Sequence, residues 1–226
     1  MKLRNFLFVA TLLIGSCTTA MAQFSNAVGS SSTEIAPYYN RLTLGYNATL
    51  SSQNKDFSYY LDTKIPTLTG FAIKYIHGFG LSKYIPLYIE TGLKANMGFG
   101  ALDVYDDYKP DIYLLSFGVP INISYRLGLN DNISLQPYTG LNFKVNALGK
   151  IKQGSQSIDI FSEDVDKAGN RFQMGWQIGL GFNFNKFYLG IEYGLDFIKL
   201  INYEYRTNDY LQLKTSHVEA CIGLNF

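Results

Sequence analysis

The side chains able to do chemistry in this sequence are few. Ser216, His217 and Glu219 stand close together near the C terminus and could supply a nucleophile, a base and an orienting carboxylate. On a strand, however, consecutive residues point to opposite faces. A face that holds His217 and Glu219 therefore excludes Ser216, and the three cannot close one triad. His77, the other of the two histidines, falls near the opposite end of its own strand. No HxxxH, CxxC or GxSxG pattern occurs, which leaves metal and hydrolase chemistry without a motif. The expectation is a protein that is not an enzyme and uses no cofactor or metal. Asp103, Asp106 and Asp107 cluster with Tyr105 and Tyr108 and offer oxygen ligands to a hard cation. Their spacing matches no calcium-loop template, so a solvated surface is the reading that fits.

The N terminus sets the compartment. Lys2 and Arg4 precede an apolar run at 6–14, and Ala20 and Ala22 flank Met21 in a small-x-small cleavage pattern that places the mature N terminus at Gln23. The run is too short to cross a bilayer as a helix, which takes roughly 20 apolar residues. Cys17, preceded by Ile14, Gly15 and Ser16, loosely resembles an acylated lipoprotein box, with Ile where Leu is usual. Cleavage before Gln23 removes Cys17 and leaves Cys221 without a partner for an internal disulfide. The whole chain carries 19 Lys and Arg against 18 Asp and Glu, so no basic face advertises nucleic acid. Aromatic residues make up 15%, with 18 Tyr, yet no stretch after the leader is apolar enough for a spanning helix.

The elements that position these residues are strands. After a polar lead-in at 23–40, period-two alternation runs through 41–50, 69–79, 87–99, 113–127, 133–147, 172–184, 187–197 and 216–226. The clearest case sets Phe172, Met174, Trp176, Ile178, Leu180, Phe182 and Phe184 against Gln173, Gly175, Gln177, Gly179, Gly181 and Asn183. Each segment is near the ~10 residues that a tilted membrane strand requires. Connections alternate between long polar stretches (51–68, 100–112, 148–171, 198–215) and short links (80–86, 128–132, 185–186). Long loops on one side and short turns on the other are the asymmetry of membrane barrels, and an even strand count brings both ends of the barrel to the turn side. The expected fold is all-β: a closed antiparallel transmembrane barrel of about eight strands over 41–226, behind a leader at 1–22.

Polarity orients that barrel. One face of each strand mixes Gly, Ser and Asn with charged residues, which suits a narrow lumen. The other is apolar, with Phe79, Tyr125, Phe184, Phe187 and Phe226 near the turn end and Phe71, Phe99, Phe172 and Phe197 near the loop end. The last strand, with Val218, Ala220, Ile222, Leu224 and terminal Phe226 on one face, resembles the C-terminal assembly signal of outer-membrane barrels. Over 24–226 the chain is similar to the small outer-membrane β-barrel domain family related to the OmpA and OmpX barrels, often described as porin-family proteins. That resemblance implies the fold, a bacterial outer-membrane location, insertion by the barrel-assembly machinery, and contact with outer-membrane lipid and lipopolysaccharide. It implies no activity.

With that phase, Lys74, Lys94, Arg126 and Lys144 face inward against Glu90, Glu192, Asp196 and Glu219. Buried charges persist when paired and hydrogen-bonded, and eight strands enclose room only for side chains or one small ligand. The expectation is a salt-bridged, non-conducting lumen with a structural or surface-interaction role. A narrow channel, a lipid-A-modifying activity and an extracellular partner held by the loops stay as alternatives.

Overall fold

The computed structural model describes residues 36–54, 65–102, 109–162, 169–206 and 209–226. The expected leader with its cleavage site at Ala20, Ala22 and Gln23, Cys17, and the acidic run 103–108 lie outside them. Among the described residues eleven strands form one antiparallel sheet. Eight of them are staves: β1 (Tyr38–Gln53), β2 (Leu68–Gly80), β3 (Leu87–Ala101), β4 (Asp111–Tyr125), β6 (Ile133–Gln153), β8 (Phe172–Phe184), β9 (Phe187–Asp196) and β11 (Asp209–Asn225). The short strands β5 (Leu127–Asn130), β7 (Gln156–Asp159) and β10 (Ile201–Arg206) only extend β6 and β11. The sheet closes where β1 pairs with β11, from Arg41 opposite Asn225 to Gln53 opposite Leu213. Closure matters because it leaves no edge of unpaired backbone groups for lipid to meet.

Alternation decides which side of the wall each residue joins. Leu93, Ile191 and Ile222 are 67%, 61% and 62% exposed, while Lys94, Glu192 and Cys221, one position further along the chain or one before, are buried. The aromatic residues expected near the strand ends mostly stand on the outer surface; Phe79, Phe184, Phe187 and Phe226 are exposed at the turn end and Phe71, Phe99, Phe172 and Phe197 at the loop end. The tight link between β8 and β9 is Asn185-Lys186, where Asn185 adopts φ 52°, a left-handed conformation that asparagine tolerates. Phe226 follows β11, and its backbone exchanges two 2.9 Å hydrogen bonds with Asn40, so the chain end is fastened to the first stave.

Three expectations need correction. The lead-in ends earlier than residue 40, because β1 begins at Tyr38 and pairs it with Phe79 of β2. The stretch 148–171 is not all loop: β6 runs on to Gln153 and folds back as β7. Likewise 198–215 contains β10 and the first part of β11. The β6 extension was hidden by a β-bulge. Leu115 pairs with Leu148 and Ser116 with Asn146, leaving Ala147 as an extra residue that breaks the period of two. Below the bulge Asn142, Lys144 and Asn146 face inward, and above it Gly149 and Ile151 do.

Candidate functional site: the lumen

The middle of the lumen is built from two like-charged pairs that face each other. Lys74 of β2 is the register partner of Lys94 of β3, and Glu192 of β9 is the partner of Glu219 of β11. Like charges directly opposite on neighbouring strands repel, so each pair is tolerable only because the other lies across the lumen. Lys74 Nζ sits 2.9 Å from Glu192 and 3.1 Å from Glu219; Lys94 Nζ sits 2.6 Å from each. Tyr138 donates its hydroxyl to Glu192 at 2.8 Å, and His217 Nε2 lies 3.3 Å from the same carboxylate. Two glycines make room for these rings. A Cβ at Gly179 would fall 2.2 Å from the Tyr138 ring, and one at Gly194 would fall 2.1 Å from His217. The small residues on the inner wall are therefore the seats of its large ones.

Below this layer, toward the turns, Glu90 is fully buried and accepts hydrogen bonds from Tyr39, from Arg41 at 3.1 Å and from Gln136 at 2.8 Å. The Arg41 guanidinium lies 4.0 Å from the Tyr188 ring centre, and that of Arg126 lies 4.4 Å from the Tyr39 ring. Above it, toward the loops, Lys144 contacts Asp196 at 2.7 Å, and Thr215 donates to the same carboxylate at 2.5 Å. Between the middle and loop-side layers remains a cavity of about 20 Å³, lined by Asn47, Asn96, Ser116, Lys144, Asp196 and His217 among others. That is room for about one water molecule.

Seven of the eight inward charges inferred from the sequence thus meet in ion pairs. The balance of four against four, however, omits Arg41, which is the ion-pair partner of Glu90. Arg126 instead stacks on Tyr39 and donates to Gln136 at 3.4 Å, and among the described residues no carboxylate lies within ion-pair distance of it. Arg41 and Tyr39 share the phase of Thr43, Gly45 and Asn47. Carrying that phase two steps back toward the N terminus would have found them. Ser216 lies on the face opposite His217, and His77 lies on the outer side near the turns, 2.7 Å from Asn40. Cys221 is a buried free thiol on the inner wall. Among the described residues no group of three or more His, Cys, Asp or Glu is placed to hold a metal ion.

A closed barrel with an apolar exterior and a polar, ion-paired interior is a membrane-spanning barrel, the kind that bacterial outer membranes hold. No family model and no curated protein matches the sequence. Among solved structures, the chain is similar to Ail, the attachment invasion locus protein of Yersinia pestis, at 13% identity and TM-score 0.43, covering 83% of this chain and 98% of Ail. It is similar to the outer membrane protein OprG from Pseudomonas aeruginosa at 12% and 0.48, covering 87% and 99%. It is also similar to the outer membrane enzyme PagL at 9% and 0.39, covering 78% and 97%. At these identities the likeness is one of fold, and a fold does not carry an activity with it.

Proposed function

We propose that this chain is an integral outer-membrane β-barrel whose lumen is a non-conducting plug, and whose role is structural or one of surface interaction. The observation that carries this reading is the crossed set of ion pairs between Lys74 and Lys94 on one wall and Glu192 and Glu219 on the other. Opening a pore through it would separate two adjacent ammonium groups from two adjacent carboxylates. Stripping a buried ion pair of one partner costs about 3–5 kcal/mol, so the closed state is strongly favoured. Planar-bilayer recordings test this directly: the reading expects no steady conductance, and a large, stable one would remove it. Fractionation tests the location, since recovery as a soluble periplasmic protein would contradict the barrel's place in the membrane.

The loops are the surface left for a partner, and the outer belt is the surface for lipid and lipopolysaccharide. Catalysis is not part of this reading. The carboxylate that His217 contacts, Glu192, is already held by two lysines, and the neighbouring serine faces the other way. For insertion, the alternate residues Val218, Ala220, Ile222, Leu224 and Phe226 present an exposed apolar row that suits recognition by the assembly machinery. Deleting Phe226 is expected to lower the outer-membrane yield, and an unchanged yield would show that the row is not read.

A further inference from the structure

Above the plug the inner wall changes character. The inward positions that carry charges in mid-barrel carry aliphatic side chains near the loops: Leu68 on β2, Ile112 and Leu114 on β4, Ile151 on β6, and Leu211 and Leu213 on β11. Together with Leu200 and Ile160 they enclose a cavity of about 320 Å³. We propose that this cavity is a binding site for a small, neutral hydrocarbon-like molecule.

Four observations carry the assignment. The cavity is walled mostly by inward positions of the staves, with the outward-phase Tyr113 and Lys150 also touching it, so it belongs to the mouth of the lumen. Its floor is polar and closed: Thr215 lines the cavity and donates to Asp196, and Leu114 borders both this cavity and the water-sized one beneath it. A ligand can therefore rest here without a route through the barrel.

Its wall is kept apolar by the bulge at Ala147. Unbroken alternation from Lys144 and Asn146 would turn Lys150 and Lys152 inward, whereas the bulge takes up Ala147 as an unpaired residue and so keeps both lysines outward and Gly149 and Ile151 in.

One side is pinned in place. Ile160 donates its backbone N–H to Gly149 at 2.9 Å, and the N–H of Gly169 reaches back to Ile160 at 3.0 Å. Phe161 is buried against the same cluster, with the Arg171 guanidinium 5.1 Å from its ring centre. A Cβ at Gly149 would fall 2.6 Å from Phe161, so glycine is what lets this segment close on the wall.

Size and lining set the ligand class. An apolar cavity of roughly 150 Å³ lined by Leu, Ile and Phe stays dry and takes up benzene; about twice that volume admits a molecule of roughly ten to twelve carbon atoms. The lining is mainly aliphatic; Ser51, Thr215, Tyr113, Tyr203 and the exposed Lys150 also contribute. None of the lining residues is a buried charge able to recognise an anion or a cation, and barrel mouths are a recurrent place for such sites.

Naphthalene is a suitable probe, titrated into the full-length protein in lipid nanodiscs with ¹³C-labelled Leu and Ile methyl groups. Saturable shifts are expected at Leu68, Leu114, Leu200, Leu213 and Ile160, while the lipid-facing Leu189 and Ile191 move only linearly, as partitioning into the bilayer demands. Filling the cavity with Leu114→Trp or Ile160→Trp should abolish saturation. The second variant lies off the staves, so it serves if the first fails to insert. Non-saturating shifts in both groups of methyls, or saturation that survives both tryptophans, would overturn the site. Contacts from the Leu114 and Leu200 methyls to bilayer acyl protons, with no naphthalene saturation, would assign the space to a lipid tail and equally overturn it.

Discussion

Around Lys74 and Glu192 the lumen is filled by charges, whereas at Leu68, Leu114 and Leu213, a few residues nearer the loops on the same or neighbouring staves, the same inward phase carries aliphatic side chains. The two regions solve the problem of a barrel interior differently. In the charged layer every group depends on named partners: Glu192 serves Lys74, Lys94, Tyr138 and His217 at once. In the apolar mouth no contact is specific, and what matters is volume. A network of specific partners fails all together when one member is lost, because the others remain buried without it. An apolar wall with space already beside it loses only the contacts that are removed.

That contrast makes an ordered set of expectations. The largest effect belongs to Glu192→Leu, which leaves two adjacent lysines sharing Glu219. It should cost about 3–5 kcal/mol, read as a fall in the urea midpoint of protein refolded into vesicles. Removing Lys94 as well, in Glu192→Leu/Lys94→Met, restores one cation to one carboxylate, so the double variant should be more stable than the single one. A double variant worse than either parent would mean that the charges are held by something other than each other. Leu114→Ala in the mouth comes next, at about 2–3 kcal/mol, the low end for a buried leucine because it widens a space that exists. If Leu114→Ala proved the costlier change, the distinction between the two regions would collapse.

How much of this could be read from the sequence differs between the regions for a physical reason. Strand β8 could be read off residue by residue because Phe172 to Phe184 alternates without a break and nothing tertiary disturbs it. The inward placement of Lys74, Lys94, Glu192 and Glu219 follows from phase alone. Their pairing does not, since it depends on which residue of one stave lies opposite which of the next, and register is set by turns and closure. Arg41 opens the segment that alternation marks as a strand but falls outside the inward charge set drawn from it, and Tyr39 lies in the polar lead-in that blurs the start of β1, although the phase of both is right. The apolar mouth was hidden differently. Leu114 stands on the face of Ser116, Gly118 and Asn122, and an alternation rule reads one apolar residue on a polar face as an exception. Several such exceptions form a site only when the staves curl and bring Leu68, Leu114 and Leu213 around one space.

The smallest expected effect bears on the boundary between the two regions. Ala147 is the extra residue at which β6 resets its phase, and it is exposed. In a chain lacking Ala147, Asn146 would be followed directly by Leu148, and strict alternation would run Asn146 in, Leu148 out, Gly149 in, Lys150 out. The register with β4 and the inward set Gly149 and Ile151 would be unchanged, because the bulge keeps the mouth apolar by absorbing Ala147 and has nothing to absorb once that residue is gone. Deletion of Ala147 should accordingly shift the urea midpoint less than Leu114→Ala does and leave the Ile151 methyl in its buried environment. A loss as large as that of Glu192→Leu would give the bulge a part of its own: the bend it puts into β6 would then be needed to carry that stave from the charged layer into the apolar one.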